Sequence, residues 1–323
     1  MITFRITLKK LDHPSMRELI TDLKLAMISP TYGREGGVAR HVWQLCRKLR
    51  ERGHDISAFS TANVPHIPVS GMKNASFAFF SSFRTAFRKF DAVHCHNPLT
   101  IPPSWPSRKH KTVLTLHGIW SEQIEYIHWY GKAFSWLESA LTGTVDAITC
   151  VSKRGAEHYG GVWIPNAIEP SDFPKERIRL KNPQIAFLGR PSKEKGVTAI
   201  GELPKDLRSS VVFIYGKPWK EAMRILAGSD MLLLPSVMEG CPTAMLEALF
   251  LGVPVLTRKI PETCDVGGTC AHYFSDDREL PDRANYLLEH IGEARDGVRK
   301  YRDKLLARFT WDVVVEEYLK VYE

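Results

Sequence analysis

The sequence predicts an α/β protein built from two doubly wound, Rossmann-like domains that face each other across a cleft. Short apolar runs alternate with amphipathic helical patterns along most of the 323 residues, which is typical of βαβ units around parallel sheets. The length corresponds to about two domains. A polar, proline-containing stretch without periodicity, Ile164–Lys181, separates two repeats of the pattern. We therefore expect a ligand between the domains, at the carboxyl ends of the strands.

The first repeat, residues 23–168, follows an N-terminal extension, 1–22, that carries no strong pattern. Its predicted strands are short apolar runs, namely Leu25–Ser29, Asp55–Ser60, Asp91–Cys95, Thr112–Leu116 and Asp146–Val151. A helix is predicted over Val38–Arg52, because apolar residues recur there at helical spacing.

The second repeat, residues 169–308, shows the same alternation. Its predicted strands are Gln184–Leu188, Val211–Tyr215, Met231–Leu234 and Val253–Thr257, with helices that include Lys217–Ala227 and Pro242–Leu251. The stretch Pro281–Glu323 is almost entirely helical in pattern, and Asp276 or Asp277 would cap its start.

Composition excludes several classes of protein. Apolar residues make up 44% and charged residues 25%, which is ordinary for a globular protein and not for a disordered chain, a collagen or a coiled coil. No run of about 18 uncharged apolar residues occurs, so no membrane-spanning helix is predicted. The six cysteines form no C-x-x-C pair, and the N-terminus lacks a signal-peptide pattern, so we expect a reduced, cytoplasmic protein.

The net charge of +8 is distributed unevenly. Residues 1–170 contain 21 Lys and Arg against 13 Asp and Glu, whereas residues 171–323 contain 23 of each, so the whole excess lies in the first half. Such asymmetry is informative about partners rather than about the fold.

The strongest motif is Glu239-Gly-Cys-Pro-Thr-Ala-Met-Leu-Glu247, which follows a predicted strand. Pro242 suits the first position of a helix, and the free amides near Thr243 and Ala244 would attract phosphate together with the helix dipole. Carboxylates on both sides of such a helix start suit a sugar nucleotide, which has hydroxyls at both ends and phosphates between. An ordinary helix start with solvated glutamates is the alternative.

Two other loops follow predicted strands. In Gly189-Arg-Pro-Ser-Lys-Glu-Lys-Gly196, Arg190 and Lys195 would lie at the same sheet edge and suit a diphosphate, unless the loop is merely basic and solvated. In Tyr32-Gly-Arg-Glu-Gly-Gly-Val-Ala-Arg-His41, the pair Gly36 and Gly37 allows close approach of a ligand, or simply a tight turn.

Histidines suggest two further candidates. His117 follows a strand and would face the cleft, where it could hydrogen-bond a sugar hydroxyl or be purely structural. His94 and His96 share a strand face, but no third ligand at a useful spacing is evident, so we predict no metal site. The sequence contains no P-loop, nucleophile elbow or zinc-finger spacing.

Taken in order, these residues resemble glycosyltransferase family 4, the retaining glycosyltransferases of the GT-B fold (glycosyl transferases group 1). The resemblance covers roughly residues 24–323. It rests on GGVARHV, LTLHG, the VSK…IPNAIEPSDF junction, the G-R-x-x-x-x-K-G element and the E-x7-E element Glu239–Glu247.

The resemblance implies specific roles. Gly36, Gly37 and the amides of the segment Gly240, Cys241, Pro242 and Thr243 would meet the donor sugar and diphosphate. His117 and Glu239 would contact the donor sugar, Arg190 and Lys195 would hold the diphosphate, and Glu247 would bind the ribose hydroxyls. A C-terminal helix, 309–323, would cross back to the first domain. No metal or other cofactor would be needed.

The implied function is transfer of a sugar from a nucleotide-diphosphate sugar donor to a glycan or lipid-linked acceptor. Another nucleotide-sugar enzyme such as an epimerase, or a non-catalytic nucleotide-sugar-binding protein, stays open. The sequence departs from the family where only one strand–helix unit fits between Lys195 and Ser236, so the second domain is expected to be shortened by one unit.

The basic first half is the expected acceptor side, and the basic residues show no nucleic-acid-binding motif. Phe83, Phe87 and Phe90 alternate with Arg84, Arg88 and Lys89 at helical spacing. One interpretation of this pattern is that the helix contacts an anionic acceptor or an anionic membrane surface, with the protein peripheral at the inner face of the membrane. The other interpretation is a solvated helix face over core phenylalanines.

Overall fold

The chain folds into two parallel β-sheets flanked by helices, which confirms the predicted α/β class. The computed structural model describes residues 22–69, 72–127 and 135–323. The predicted N-terminal extension lies outside these residues, except for Asp22.

The first sheet has six parallel strands in the order β2-β1-β3-β4-β5-β6. The strands are β1 Lys24–Ile28, β2 Asp55–Phe59, β3 Lys89–Cys95, β4 Arg108–Leu116, β5 Ala147–Cys150 and β6 Val162–Trp163. The order reverses between β1 and β3, which makes a crevice at their carboxyl ends, where ligands of doubly wound sheets bind.

The second sheet has five parallel strands in the order β11-β10-β9-β7-β8. The strands are β7 Ile185–Leu188, β8 Val211–Ile214, β9 Met231–Leu234, β10 Val255–Arg258 and β11 His272–Phe274. The order reverses between β7 and β9, so the winding of the first sheet is repeated. Between β7 and β9 the continuous range 135–323 contains β8 as its only strand, as expected for the shortened second domain.

Helices connect the strands and cover both faces of each sheet. They are α1 Gly37–Glu51, α2 Lys73–Thr85, α3 Trp120–Ile127, α4 Ser135–Thr142, α5 Lys153–Tyr159, α6 Lys205–Ser209, α7 Trp219–Ala227, α8 Thr243–Phe250, α9 Pro261–Gly267, α10 Leu280–Glu289, α11 Ile291–Arg308 and α12 Trp311–Tyr322. Alternate residues of a strand face opposite sides. Leu25 and Met27 accordingly pack with α1 and α12, while Ala26 and Ile28 pack with Phe77 of α2.

Two strands were absent from the predictions, β6 and β11. Both lie at sheet edges and have two or three residues, too few to show a periodicity of two. The helical stretch predicted after residue 280 is divided into α10, α11 and α12. Asp276 caps the short 3₁₀ turn before α10, where its side chain accepts a hydrogen bond from the backbone N–H of Arg278.

The last helix returns to the first sheet. A parallel bridge joins Ile168 to Thr310, with backbone bonds of 2.9 Å from Ile168 N to Phe309 O and 3.1 Å from Trp311 N to Ile168 O. Beyond it, α12 buries Trp311, Tyr318 and Tyr322 in the core that α1 and β1 also form. The chain therefore crosses between the sheets twice, at adjacent positions.

Basic residues of α1 hold the segment between the sheets. The Arg47 guanidinium lies 3.0 Å from the Asp172 carboxylate, and Gln44 Nε2 donates to the same carboxylate at 2.8 Å. The buried Lys48 ammonium contacts Glu169 at 2.5 Å and Asp312 at 3.1 Å. Part of the basic excess of the first half is thus used to fix α1 against the inter-sheet segment and α12.

Candidate functional site

A cavity of about 720 Å³ lies between the two sheets, at the carboxyl ends of their strands. Its walls come from the loops after β1, β4, β7, β8 and β9 together with the first turns of α1 and α8. All eleven residues predicted for the site line it, namely Gly36, Gly37, His117, Arg190, Lys195, Glu239, Gly240, Cys241, Pro242, Thr243 and Glu247. Sequence segments more than 200 residues apart are therefore brought to one place.

The start of α8 forms one wall. Pro242 stands at the cap position, one residue earlier than predicted, and the first backbone bonds of the helix run from Met245 N and Leu246 N to Pro242 O. The N–H groups of Thr243 and Ala244 precede these donors at the helix start. An anion in the cavity would meet both groups and the positive end of the helix dipole.

Cys241 contributes its backbone rather than its sulfur. Burial raises the pKa of the Cys241 thiol to about 12, so the sulfur stays protonated. The Cys241 carbonyl accepts a 2.6 Å hydrogen bond from Asn166 Nδ2, which ties the loop before α8 to the inter-sheet segment.

Lys195 and Glu239 form an ion pair inside the cavity. Lys195 Nζ lies 2.7 Å from Glu239 Oε1, and the side chains are 29% and 8% exposed. Arg190 is more exposed and lies 3.4 Å from Glu194. The loop after β7 thus presents two cations to the cavity, one fixed by a carboxylate from the loop after β9 and one at the rim.

Glu247 is held by a tryptophan. Trp219 Nε1 donates to Glu247 Oε1 at 2.7 Å, and the Arg40 guanidinium stacks on the Trp219 ring at 3.7 Å from its centroid. Burial is the largest influence on Glu247 and raises the pKa of its carboxyl to about 7, although Trp219 and Arg40 both act to lower it. Since Arg40 belongs to α1 and Trp219 to α7, this contact joins the two sides of the cavity.

The glycines of the first loop lie opposite α8. Gly36 has φ 83°, a backbone conformation that favours glycine, and it caps α1. A Cβ atom on Gly37 would lie 3.9 Å from Thr243 Oγ1, so the starts of α1 and α8 approach each other across the cavity. Two helix N-termini from different sheets therefore converge here.

Gly240 lies against the backbone of His117. A Cβ atom added to Gly240 would overlap the His117 carbonyl oxygen, and it would come within 2.9 Å of Val151 Cγ2. These neighbours belong to the first sheet and its loops, so a side chain at Gly240 has to push the two sides of the cavity apart. The close approach is the structural reason for a glycine at this position of the motif.

Replacing Gly240 with alanine is expected to lower turnover without unfolding the chain. A displacement of about 1 Å at a reacting centre can cost roughly 100-fold in rate, so we expect a loss of that order in kcat/KM. Gly201→Ala is the matched control, because nothing lies within 4 Å of a Cβ atom there. Steady-state kinetics of both variants, with circular dichroism to check the fold, would measure this. Equal activity of the two variants would contradict it.

His117 is the outermost of four packed imidazoles. His117 Nε2 lies 3.4 Å from His96 Nδ1, and His94 stacks on His96 with ring centroids 4.2 Å apart. The ring of His41, from α1, lies 5.0 Å from that of His117. Burial lowers the pKa of His117 to about 4 and that of His94 to about 3. The cluster is therefore uncharged at neutral pH, and His117 offers hydrogen bonds rather than a positive charge.

The fold supplies neighbours that the His94–His96 pattern did not show. His41, His96 and His117 bring ring nitrogens within 4.8 Å of one another. His94 belongs to another network, with Nδ1 2.7 Å from Tyr322 Oη and Nε2 2.6 Å from Thr115 Oγ1. These bonds fix His94 beneath the cavity against α12. The absence of a metal requirement stays a prediction.

Arg40, His41 and Trp219 are residues of the site that were not predicted. Arg40 and His41 lie three and four residues after Gly37, so they follow the glycine pair along α1. Trp219 begins α7 directly after the loop 215–218 that follows β8. The helical spacing after Gly37 was an available signal for Arg40, whereas nothing in the sequence pairs Trp219 with Glu247.

Two family models match the two halves of the chain. Glycosyltransferase Family 4 matches residues 35–169, and Glycosyl transferases group 1 matches residues 173–290. Together the matches include the loop with Gly36 and Gly37 and the whole E-x7-E element. The predicted family resemblance is confirmed.

Two curated relatives are similar in sequence. The chain is 29% identical to a teichuronic acid biosynthesis glycosyltransferase of Bacillus subtilis, TuaC, over 55% of this chain and 54% of that protein, so it spans about half the length of this relative. It is 24% identical to the phosphatidyl-myo-inositol mannosyltransferase of Propionibacterium freudenreichii over 93% of this chain and 94% of that one.

Solved structures share the fold over nearly the whole chain. Sucrose-phosphate synthase of Thermosynechococcus elongatus superposes with a TM-score of 0.72 at 14% identity, over 92% of this chain and 98% of that chain. HepE of Anabaena, solved in complex with UDP-glucose, superposes with a TM-score of 0.65 at 13% identity, over 93% and 99%.

Proposed function

Since the chain belongs to the glycosyltransferases of family 4 and group 1 and has their GT-B fold, we propose that it transfers a sugar from a nucleotide-diphosphate sugar to an acceptor with retention of configuration. One observation carries the proposal. The cavity between the sheets joins a helix N-terminus, the cations Arg190 and Lys195 and the carboxylates Glu239 and Glu247, which are the kinds of group that bind a nucleotide sugar.

The diphosphate occupies the start of α8 in this proposal. The N–H groups of Thr243 and Ala244 and the cations of Arg190 and Lys195 surround the space where its charge would lie. Gly37 leaves the opposite wall without a side chain, which gives the phosphate oxygens room.

The two carboxylates bind the two ends of the donor. Glu247 lies one helical turn inside α8 and would accept hydrogen bonds from the ribose hydroxyls. Glu239 lies at the other end, close to His117 across the Gly240 contact, and would accept hydrogen bonds from the sugar hydroxyls.

The chemical step places negative charge on the departing nucleoside diphosphate as the bond from the sugar C1 to the phosphate oxygen breaks. Lys195 and the helix N-terminus are fixed before the reaction and would therefore stabilise this charge without reorganisation, while Arg190 adds a second positive charge from the rim. These groups supply the positive charge that the leaving group needs, so we propose that transfer is metal-independent. His117, held neutral by burial, hydrogen-bonds the sugar at the reaction centre.

Relatives support the choice of substrates. HepE was solved with UDP-glucose, and one relative is named a mannosyltransferase, which favours a hexose donor. The two similar proteins are named for teichuronic acid and phosphatidyl-myo-inositol, an anionic polymer and a lipid. We accordingly propose an anionic or lipid-linked glycan as the acceptor, met by the basic first half of the chain.

A panel of UDP-, GDP-, ADP- and TDP-sugars tests the proposal. The true donor is expected to raise the melting temperature, because a ligand that binds only the folded state stabilises it. It should also be hydrolysed slowly or transferred with the donor's anomeric configuration, as read by NMR. Glu239→Gln is expected to abolish both effects, whereas Glu289→Gln on the exposed part of α10 should change neither. Absence of donor binding, or release of an epimerised sugar, would refute the proposal.

A further inference from the structure

Helix α2 exposes a cluster of aromatic rings. Phe79, Phe83 and Phe87 are 60%, 67% and 83% exposed, and Phe80 is 37% exposed. Phe79 packs edge-to-face against Phe80 and Phe83, with centroids 5.4 and 5.1 Å apart. Trp105, 56% exposed, follows the 3₁₀ turn on which α2 packs. Phe79, Phe80, Phe83, Phe87 and Trp105 are called the α2 aromatic surface below.

The amphipathic pattern of α2 is inverted. The stripe that faces the protein consists of Phe77, Ser81 and Thr85, so two of its three side chains carry hydroxyls. Thr85 satisfies its hydroxyl with the carbonyl of Pro103. A helix that only covers a sheet would turn its apolar side chains inward. Here phenylalanines face outward, which indicates that this surface meets an apolar phase.

The backbone after α2 adds to this exposure. Phe87 has φ 62°, a left-handed conformation that is uncommon for a bulky residue. A 3.1 Å hydrogen bond from Phe87 N to Pro106 O holds it there, beside Trp105. Such a conformation costs free energy and persists only where the surroundings impose it. The result is a ring held out from the surface rather than folded onto it.

The charge around the α2 aromatic surface has one sign. Residues 56–121 contain seven Lys and Arg and a single acid, Asp91. Lys73, Arg84, Arg88 and Lys89 are exposed on or next to α2. Four exposed cations therefore accompany the exposed rings on or next to α2. The helical spacing in the sequence placed Phe90 on the same helix face as Phe83 and Phe87. Phe90 is instead buried in β3, so that part of the prediction was wrong.

We propose that the α2 aromatic surface docks on a bilayer that contains anionic lipid. The rings would enter the interface between headgroups and acyl chains, while Lys73, Arg84 and Lys89 contact lipid phosphates. Exposed cations alternate with the exposed rings along the chain, since Arg84 follows Phe83 and Arg88 follows Phe87, and such a mixture of basic and aromatic groups suits an anionic headgroup layer. None of the helices in the described ranges is long and apolar enough to cross a membrane, so the contact would be peripheral.

This proposal deepens the proposed function by naming the surface on which an acceptor would be met. No residue of the α2 aromatic surface lines the cavity between the sheets. Docking and donor binding can therefore be measured separately, and failure of one leaves the other standing.

Flotation with liposomes tests the proposal. The full chain is mixed with vesicles of phosphatidylcholine alone, or of phosphatidylcholine and phosphatidylglycerol in equal parts. We expect the chain to float only with the anionic vesicles. Phe83→Ser/Phe87→Ser and Arg84→Gln/Lys89→Gln should each lower partitioning by roughly tenfold or more. The donor-induced rise in melting temperature is expected to be unchanged in both variants.

Matched variants on the second sheet are the controls. Phe213→Ser removes a phenylalanine ring that is 46% exposed, and Lys205→Gln removes an exposed cation. Neither should change flotation. Equal partitioning to neutral and anionic vesicles, or no partitioning, would overturn the proposal. Loss in the charge variant alone would also overturn it, because that result indicates a polyanion site rather than bilayer insertion.

Discussion

Lys195→Ala is expected to lower kcat for sugar transfer by roughly 100- to 1,000-fold, which is the effect of removing one preorganised group that stabilises charge in a transition state. Lys195 contacts Glu239 at 2.7 Å inside the cavity and is more enclosed than Arg190, the other cation that the loop after β7 presents there. The positive charge of Lys195 would stabilise the negative charge that grows on the nucleoside diphosphate. Single-turnover kinetics with saturating donor would measure the change.

Two controls separate this role from a structural one. Lys193→Ala removes an exposed cation from the same loop and should leave kcat unchanged. Lys195→Ala also leaves Glu239, 8% exposed, without its partner, which costs stability. The double variant Lys195→Ala/Glu239→Gln removes that unpaired charge and should regain stability. Since Glu239→Gln is itself expected to abolish transfer, activity is compared in the single variant, and an unchanged kcat in Lys195→Ala would contradict a role for Lys195 in the chemical step.

Glu247→Gln is expected to stabilise the protein while weakening donor binding. Burial raises the pKa of Glu247 from the usual 4.5 to about 7. The folded state therefore holds this proton more tightly than the unfolded state does. Stability falls as pH rises from about 4.5 to about 7, and the loss above that pH is about 3 kcal/mol. A neutral glutamine avoids the loss and can still accept the bond from Trp219.

Denaturant unfolding at two pH values measures this effect. Near pH 8 the variant should be more stable than the parent by up to about 3 kcal/mol, and near pH 4 the difference should vanish. Glu202→Gln, at an exposed position, should show no such dependence. Donor affinity should fall in Glu247→Gln alone, because a carboxylate accepts ribose hydrogen bonds more strongly than an amide does. An unchanged free energy of unfolding near pH 8 would contradict the assignment.

Local sequence patterns were sufficient for most of the fold. Strands such as β7 and β9 are continuous apolar runs followed by glycine or proline, so their positions were predicted within a residue or two. The loops after them carry the site, because parallel strands bring their carboxyl ends to one edge. This rule alone predicted that Arg190, Lys195 and Glu239 lie close together, and no detail of side-chain packing was needed for that prediction.

What the sequence left open depends on contacts between distant segments. Arg40 and Trp219 are 179 positions apart, and their stacking follows from how the two sheets face each other. His41 joins His96 and His117 for the same reason. The error at Phe90 is local. Helix α2 ends at Thr85 and the left-handed Phe87 redirects the chain, so the helical spacing does not continue to Phe90.

The return of α12 has a consequence for the order of folding. During synthesis, N-terminal domains generally fold first, as units. Here Trp311, Tyr318 and Tyr322 complete the core of the first sheet, and Tyr322 provides the hydroxyl that bonds the buried His94. Those residues leave the ribosome after the whole second sheet. The core of the first sheet therefore cannot be completed until α12 has been synthesised, and until then the surface of α1 and β1 that α12 covers stays exposed. The two halves of the chain reach their final packing together.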